Sequence, residues 1–158
     1  VLTAAHCAFN YSSTETFFDA PVAQPADTRV AIGSLSSSDR SLVGVKRIVI
    51  HPNYDSLTFM NDLALIELER PLRISSSIQP ITISNSTLSP GQEVTAAGWG
   101  QTENQPSSSI LLQVHLKISN VDLCRAERPS FIDNDGPQLC TGQTPGHDTC
   151  PGDSGGPL

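Results

Sequence analysis

The most informative stretch of this 158-residue chain is Cys150-Pro151-Gly152-Asp153-Ser154-Gly155-Gly156-Pro157. A nucleophilic serine needs an exposed hydroxyl and backbone N–H groups that point at the developing oxyanion. Glycines on both sides of Ser154 allow a tight turn and let a substrate carbonyl approach these N–H groups. A glycine-rich surface turn is the alternative, but average amino-acid usage gives the string GDSGGP a chance frequency of about 10⁻⁵ in a chain of this length. The segment therefore favours a nucleophilic serine.

A nucleophilic serine needs a base beside it, and the chain has four histidines. Three of them lie in settings typical of solvated side chains, namely a turn before proline, the polar side of an alternating strand and a Gly-Pro loop: His51, His115 and His147. The fourth, His6, lies between small residues and Cys7, where the ring has room. His6 is therefore the candidate base, although a structural histidine is an equal alternative when this segment is taken alone.

A catalytic histidine in turn needs a carboxylate that orients it and stabilises the imidazolium. Asp62 stands at the start of an apolar stretch, Leu63-Ala64-Leu65-Ile66. A carboxylate at the start of a buried strand costs free energy unless a hydrogen bond compensates it. Asp62 is the candidate orienting acid, and an exposed residue at a strand start is the alternative.

Composition indicates a folded, turn-rich chain of the all-β class. There are 11 Gly and 12 Pro residues, and charged residues make up 16% of the chain. The formal net charge is −7 with no basic cluster, which argues against a nucleic-acid partner. No apolar run approaches the roughly 18 residues that a membrane helix needs, so no membrane partner is expected.

Short β-type stretches between turn clusters predict five strands, at residues 29–34, 42–50, 63–68, 93–99 and 112–119. The mixed pattern of 42–50 suits a strand with a bulge or a shifted face. Segment 63–68 is apolar except at Glu67, which predicts a strand buried on both sides. Segment 112–119 alternates strictly and predicts one apolar and one polar face.

One helix is predicted, over residues 121–127. Ser119 or Asn120 can cap its first turn, and Pro129 follows its last residue.

Three ordered segments, LTAAHC, NDLALI and DTCPGDSGGPL, resemble the signature segments of chymotrypsin–trypsin-like serine proteases. The order His, Asp, Ser matches that family and differs from subtilisin-like and α/β-hydrolase enzymes. The Gly98-Trp99-Gly100 segment and the turn at residues 51–54 are also similar to the family's. The resemblance implies an all-β fold, the double antiparallel β-barrel of the trypsin-like type. Residues 1–72 would form most of the first barrel, 73–92 a linker, and 93–158 part of the second barrel.

The same resemblance assigns roles to the site residues. It implies that His6 is the general base and acid, that Asp62 orients it, and that Ser154 attacks the peptide carbonyl. The backbone N–H groups of Gly152 and Ser154 would form the oxyanion hole. Asp153 matches the acid that pairs with the new N-terminal ammonium after zymogen cleavage.

Substrate choice depends on Asp148, which stands where trypsin-like members carry the acid of the primary specificity pocket. The resemblance implies a secreted endopeptidase that cleaves after Arg or Lys through an acyl-enzyme. If Asp148 is instead a solvated loop residue, a chymotrypsin-like preference is the alternative. A further alternative is a non-catalytic homologue that binds proteins, although such homologues usually lose a triad residue and none is lost here.

The four cysteines lack CxxC spacing, so zinc binding is a poor fit. The resemblance pairs Cys124 with Cys140 in a disulfide and places the partners of Cys7 and Cys150 outside the chain. The chain opens without Met and closes without a polar ending. We therefore expect a domain truncated at both ends, which would be inactive when expressed alone.

The expected setting is extracellular. Cysteines without a zinc-binding spacing suit disulfides, and sequons at Asn10 and Asn85 suit glycosylation. Both are typical of a secreted glycoprotein. The loop at residues 33–44 holds Asp39 without the pair of Glu residues of calcium-binding trypsins, so no metal and no cofactor are expected. Partners would be protein or peptide substrates and proteinaceous inhibitors, and the enzyme would be a monomer.

Overall fold

The computed structural model describes residues 1–10, 20–142 and 145–158. The chain divides into two compact units, Val1–Ile81 and Thr82–Leu158. The Asn10 sequon extends into residues 11–19, which lie outside the described residues. Across the described ranges, no helix is long and apolar enough to cross a membrane.

The first unit is built on an antiparallel sheet. Its strands are β1 (Leu2–Thr3), β2 (Arg29–Ile32), β3 (Ser41–Ile50) and β4 (Ala64–Leu68), in the spatial order β1-β4-β3-β2. The long strand β3 pairs with β2 through its first half and with β4 through its second half. One strand therefore links the two halves of this sheet.

The bulge predicted for this strand is confirmed, because the register of β3 against β4 shifts between Val45 and Arg47. Before the bulge, Val43 and Val45 are buried. After it, Ile48 and Ile50 are the residues that pack against the core. An extra residue reverses which side chains face inward, and this reversal explains the mixed apolar pattern of the segment.

Small side chains form the core beneath the neighbouring strands β1 and β4. Ala5, Ala8 and Ala64 are buried together, and Ile48, Ile50 and Tyr54 pack around them: three alanines within a rim of larger residues. The absence of bulk lets the chain after β1 lie directly on β4. This close packing holds the segment that carries His6.

The prediction that segment 63–68 is buried on both sides was wrong. Ala64 is buried, but Leu65 is 55% exposed. Its cross-strand neighbours Leu2 and Val49 are also exposed, at 45% and 40%. These three side chains lie opposite one another on the face of the sheet away from the core. Among the residues that the structure describes, nothing covers this face at Leu65, so an apolar run does not by itself indicate two buried faces.

The second unit contains a two-stranded antiparallel ribbon, β5 (Glu93–Gly98) and β6 (Leu112–Lys117). Leu116 and Ile118 are buried, whereas His115 and Lys117 are exposed, which confirms the predicted alternation over residues 115–118. At the start of the strand the prediction was wrong, because Leu112 is 43% exposed. Ser119 also departs from the alternation and is buried, because the chain has left the strand and bonds to the Cys140 carbonyl.

The predicted helix is confirmed as α1 (Val121–Glu127), with the Asn120 side chain accepting a hydrogen bond from the N–H of Asp122. A disulfide joins Cys124 of this helix to Cys140. The described ranges are thus dominated by antiparallel strands, and the all-β class is confirmed.

Candidate active site

His6 stands at the start of a short 3-10 helix, His6–Ala8, that follows β1. Ala5 before it is fully buried, and Ala8 at its end is also buried. Because both flanking alanines are anchored in the core, the backbone of His6 is held while its ring reaches the surface. The small residues that the sequence places here therefore serve to position the ring.

Asp62 contacts His6 at two points. The backbone N–H of His6 donates to Oδ1 of Asp62 at 2.8 Å, and the ring Nδ1 lies 2.6 Å from Oδ2. A carboxylate only accepts hydrogen bonds, so Nδ1 carries the hydrogen and Nε2 of the neutral ring keeps its lone pair. The two side chains are 23% and 21% exposed. This arrangement leaves Nε2 able to take up a proton.

The loop before Asp62 adopts an unusual backbone. Phe59 and Asn61 are non-glycine residues with positive φ, at 57° and 55°. The side chain of Asn61 donates to the carbonyl of Asn53 at 2.9 Å. The ring of Phe59 meets the ring of His6 edge to face, with centroids 5.9 Å apart. Left-handed non-glycine residues are uncommon and cluster at functional sites.

Sequence reasoning missed Phe59 and Asn61. Asparagine tolerates positive φ better than most residues, which was the available signal for Asn61. No local pattern indicates that a phenylalanine will lie against a histidine 53 positions earlier, so Phe59 could not have been found from the sequence.

The Cys7 thiol lies 3.5 Å from Nε2 of His6. Burial raises the pKa of this thiol, and the negative charge of Asp62 raises it further, while a hydrogen bond with Thr3 acts in the opposite direction. These effects together favour the neutral form of a thiol at this position.

The second unit holds the loop that carries Ser154. The N–H of Gly100 donates to Oδ1 of Asp153 at 2.7 Å, and the N–H of Cys150 donates to Oδ2 at 3.0 Å. Gly152 has a φ of 98°, as the tight turn requires. With the Asp153 side chain directed inward, the adjacent Ser154 is exposed.

A cavity of about 470 Å³ opens beside this loop within the second unit. Its walls come from the end of β5, from β6 and from the segment after residue 147, and three acidic side chains line it: Glu103, Asp148 and Asp153. Asp148 is exposed, and its Oδ1 accepts a hydrogen bond from the N–H of Thr149 at 2.8 Å. The acidic lining favours a cationic occupant.

The structure thus brings His6 and Asp62 together in the first unit, and it places Asp148, Gly152, Asp153 and Ser154 in one segment of the second unit. The three other histidines stand apart from these residues in the chain. His51 accepts a hydrogen bond within its own turn, and His115 and His147 are exposed.

Comparison with known proteins agrees with this picture. The Trypsin family matches residues 1–158. Mannan-binding lectin serine protease 1 from Mus musculus is 32% identical, phenoloxidase-activating factor 3 from Holotrichia diomphalia 35% and human kallikrein-14 34%. These alignments cover the whole of this chain and 24%, 48% and 55% of the respective relatives, so the chain spans about half their length or less.

A solved structure has the same fold. Neuropsin, a serine protease expressed in the limbic system of mouse brain, superposes with a TM-score of 0.78 at 28% sequence identity, over 99% of this chain and 66% of that one. The expected trypsin-like fold is therefore confirmed. The chain belongs to the trypsin family of serine proteases.

Proposed function

We propose that this chain carries the catalytic residues of a serine endopeptidase, with Ser154 as nucleophile, His6 as base and Asp62 as orienting acid. The observation that carries the proposal is the double contact of Asp62 with His6, which places the hydrogen on Nδ1 and leaves Nε2 as the acceptor. Family membership supports the same assignment.

The reaction follows from these roles. The Oγ of Ser154 attacks the peptide carbonyl carbon while its proton passes to Nε2 of His6, and the N–H groups of Gly152 and Ser154 stabilise the oxyanion. The tetrahedral intermediate collapses, His6 gives its proton to the leaving amine, and an acyl-enzyme remains. Water then attacks the ester carbonyl while His6 takes its proton. His6 returns this proton to Oγ of Ser154, which releases the acid and restores the serine.

For substrate preference we propose cleavage after Arg or Lys. The support is the exposed carboxylate of Asp148 on the wall of the acidic cavity. An Arg guanidinium offers a forked set of donors that matches a carboxylate, whereas an apolar side chain would leave that carboxylate unpaired when the substrate covers it.

For activation we propose that Asp153 receives the N-terminal ammonium that zymogen cleavage releases. Two backbone N–H groups already hold its carboxylate in place. The ammonium would add a positive charge beside the Asp153 carboxylate. Such a partner is needed because the substrate and the surrounding chain would remove this carboxylate from water.

We also propose the domain layout and setting that the family implies. Residues 1–72 and 93–158 would belong to the two barrels, with 73–92 as the linker. The boundary between the compact units, after Ile81, falls within this linker. The enzyme would be secreted and monomeric, with proteinaceous inhibitors as partners, and Asn85 is exposed as a glycan acceptor must be.

The test uses the full-length, activated protein. A fluorophosphonate probe should label Ser154, and Ser154→Ala should abolish both the labelling and the hydrolysis of an Arg ester. Ser89→Ala, at an exposed serine of the same unit, should leave both unchanged. Absence of labelling in the activated wild-type protein would show a non-catalytic homologue and end the proposal.

A further inference from the structure

The loop that carries Ser154 lies against the end of β5 through glycines on both sides. A Cβ at Gly152 would come within 3.1 Å of the Cα of Gly100. A Cβ at Gly156 would come within 2.9 Å of the carbonyl oxygen of Ala97. The main chains approach so closely here that side chains on either side would separate them.

The Asp153 side chain lies directly over Gly98 and Gly100. A Cβ at Gly98 would overlap Oδ1 of Asp153 and stand 2.8 Å from its Cγ. A Cβ at Gly100 would stand 2.6 Å from Cγ and 2.7 Å from Oδ2. Both substitutions therefore require the carboxylate or the strand end to move.

The carboxylate has little freedom to move away. Its oxygens accept hydrogen bonds from Gly100 and Cys150, so a shift that makes room for a methyl group must break at least one of them. Neither Gly98 nor Gly100 has a positive φ. These two positions thus require glycine because of space, and not because of backbone conformation.

We propose that Gly98 and Gly100 are positioning residues for the catalytic loop: together they form a glycine seat that holds the Asp153 carboxylate and, through it, the backbone N–H groups of Gly152 and Ser154. The proposal rests on the oxyanion role and the ammonium pairing given above. Both glycines also line the cavity beside this loop, and in this proposal they act through Asp153.

The first experiment measures kinetics on the full-length activated protease. Gly98→Ala and Gly100→Ala should lower kcat by about 10²-fold, the scale of losing one oxyanion donor, while KM changes less. They should also move the alkaline limit of activity to lower pH, because a displaced Asp153 holds the ammonium less firmly. A general loss of folded protein would not shift this limit.

Gly136→Ala is the matched control. Gly136 lies in the same unit without a positive φ, and its added Cβ would stand 3.2 Å from Oδ1 of Asp133, a contact that a small shift relieves without loss of a hydrogen bond. This variant should keep the wild-type kcat and alkaline limit. A wild-type kcat and alkaline limit in Gly98→Ala and Gly100→Ala would overturn the proposal.

A double-mutant cycle on the unactivated precursor tests the contact itself. Gly98→Ala should lower Tm in the wild-type background but not in an Asp153→Ala background, where the overlapping carboxylate is gone. If Gly98→Ala does not fold and the double variant does, the seat is supported. An equal loss of Tm in both backgrounds would refute it. Because Tm needs no activity, this result stands even if Ser154 is never labelled, so failure of the seat and failure of the proposed function remain distinguishable.

Discussion

Asp62 holds His6 by its main chain and its ring at once: Oδ1 accepts the backbone N–H at 2.8 Å, and Oδ2 faces Nδ1 at 2.6 Å. One carboxylate thereby sets both the position of the histidine backbone and the rotation of its ring. The two residues are 56 positions apart in the chain, so their contact requires β1 and β4 to be paired. The sheet of the first unit thus positions this His6–Asp62 pair.

Replacing Asp62 with Asn should separate orientation from packing. An amide NH₂ facing Nδ1 favours the ring tautomer with the hydrogen on Nε2, which can no longer accept the Ser154 proton. We expect kcat to fall about 10⁴-fold, the loss characteristic of chymotrypsin-like triads. Hydrolysis of an Arg amide by the full-length activated protein measures it. Asp27→Asn, at an exposed acid of the same unit, serves as control, and equal losses in both would contradict the assigned role.

Asp148→Ser should change substrate preference. Removing the carboxylate should lower kcat/KM for an Arg substrate by about 10²- to 10³-fold, since an ion pair that the bound substrate desolvates is lost. The value for a Phe substrate should hold or rise. Matched Arg and Phe chromogenic substrates measure the ratio, with Asp122→Ser in α1 as the control variant. An unchanged ratio would favour the chymotrypsin-like alternative.

Substitutions of Asn61 should report on the left-handed turn before Asp62. Asn61→Gly keeps access to positive φ but loses the hydrogen bond to Asn53, whereas Asn61→Val loses both. We expect Asn61→Val to lower the free energy of unfolding by about 1–3 kcal/mol more than Asn61→Gly does, the usual cost of such backbone strain. Urea titration of the full-length protein measures the difference. Equal stability of the two variants would mean that the turn is not strained.

The stability of the fold should depend on pH through the carboxylate of Asp55, in the turn at residues 55–60. A hydrogen bond from Thr58, together with one from the N–H of Leu57, holds the pKa of Asp55 below its ordinary value of 3.8. A carboxyl whose pKa is lower in the folded state stabilises the fold above its unfolded pKa, and this contribution is lost as the pH falls through the folded pKa.

The measurement compares Tm of the wild-type protein and Asp55→Ala at pH 6 and at a pH below the folded pKa of Asp55. The variant should have the lower Tm at pH 6, and the gap should narrow on acidification. A gap that stays constant with pH would show that the ionised carboxylate contributes nothing beyond its shape.

Much of the candidate site could be proposed from the sequence because its chemistry is local in the chain. A nucleophile between glycines, a histidine among alanines and an acid before an apolar strand each need neighbouring residues of a particular kind. The bulge in β3 and the exposure of His115 could likewise be predicted, because alternation with a period of two follows directly from strand geometry.

Burial on both faces of β4 could not be judged in this way. Leu65 is apolar whether or not another element covers it, so its exposure depends on what packs against the sheet and not on its own segment. The same holds for the left-handed Phe59, since its contact with His6 joins residues 53 positions apart and has no signal in its own segment.

The sequence by itself determined the class of the fold and the candidates for the reactive groups, because motif spacing and strand periodicity are properties of adjacent residues. Only the tertiary structure decided which glycines are indispensable. Gly100 and Asp153 are 53 positions apart, and the need for glycine arises where a folded carboxylate comes to rest on a distant strand end. Steric exclusion between remote segments has no local signal, so it becomes visible only when the chain has packed.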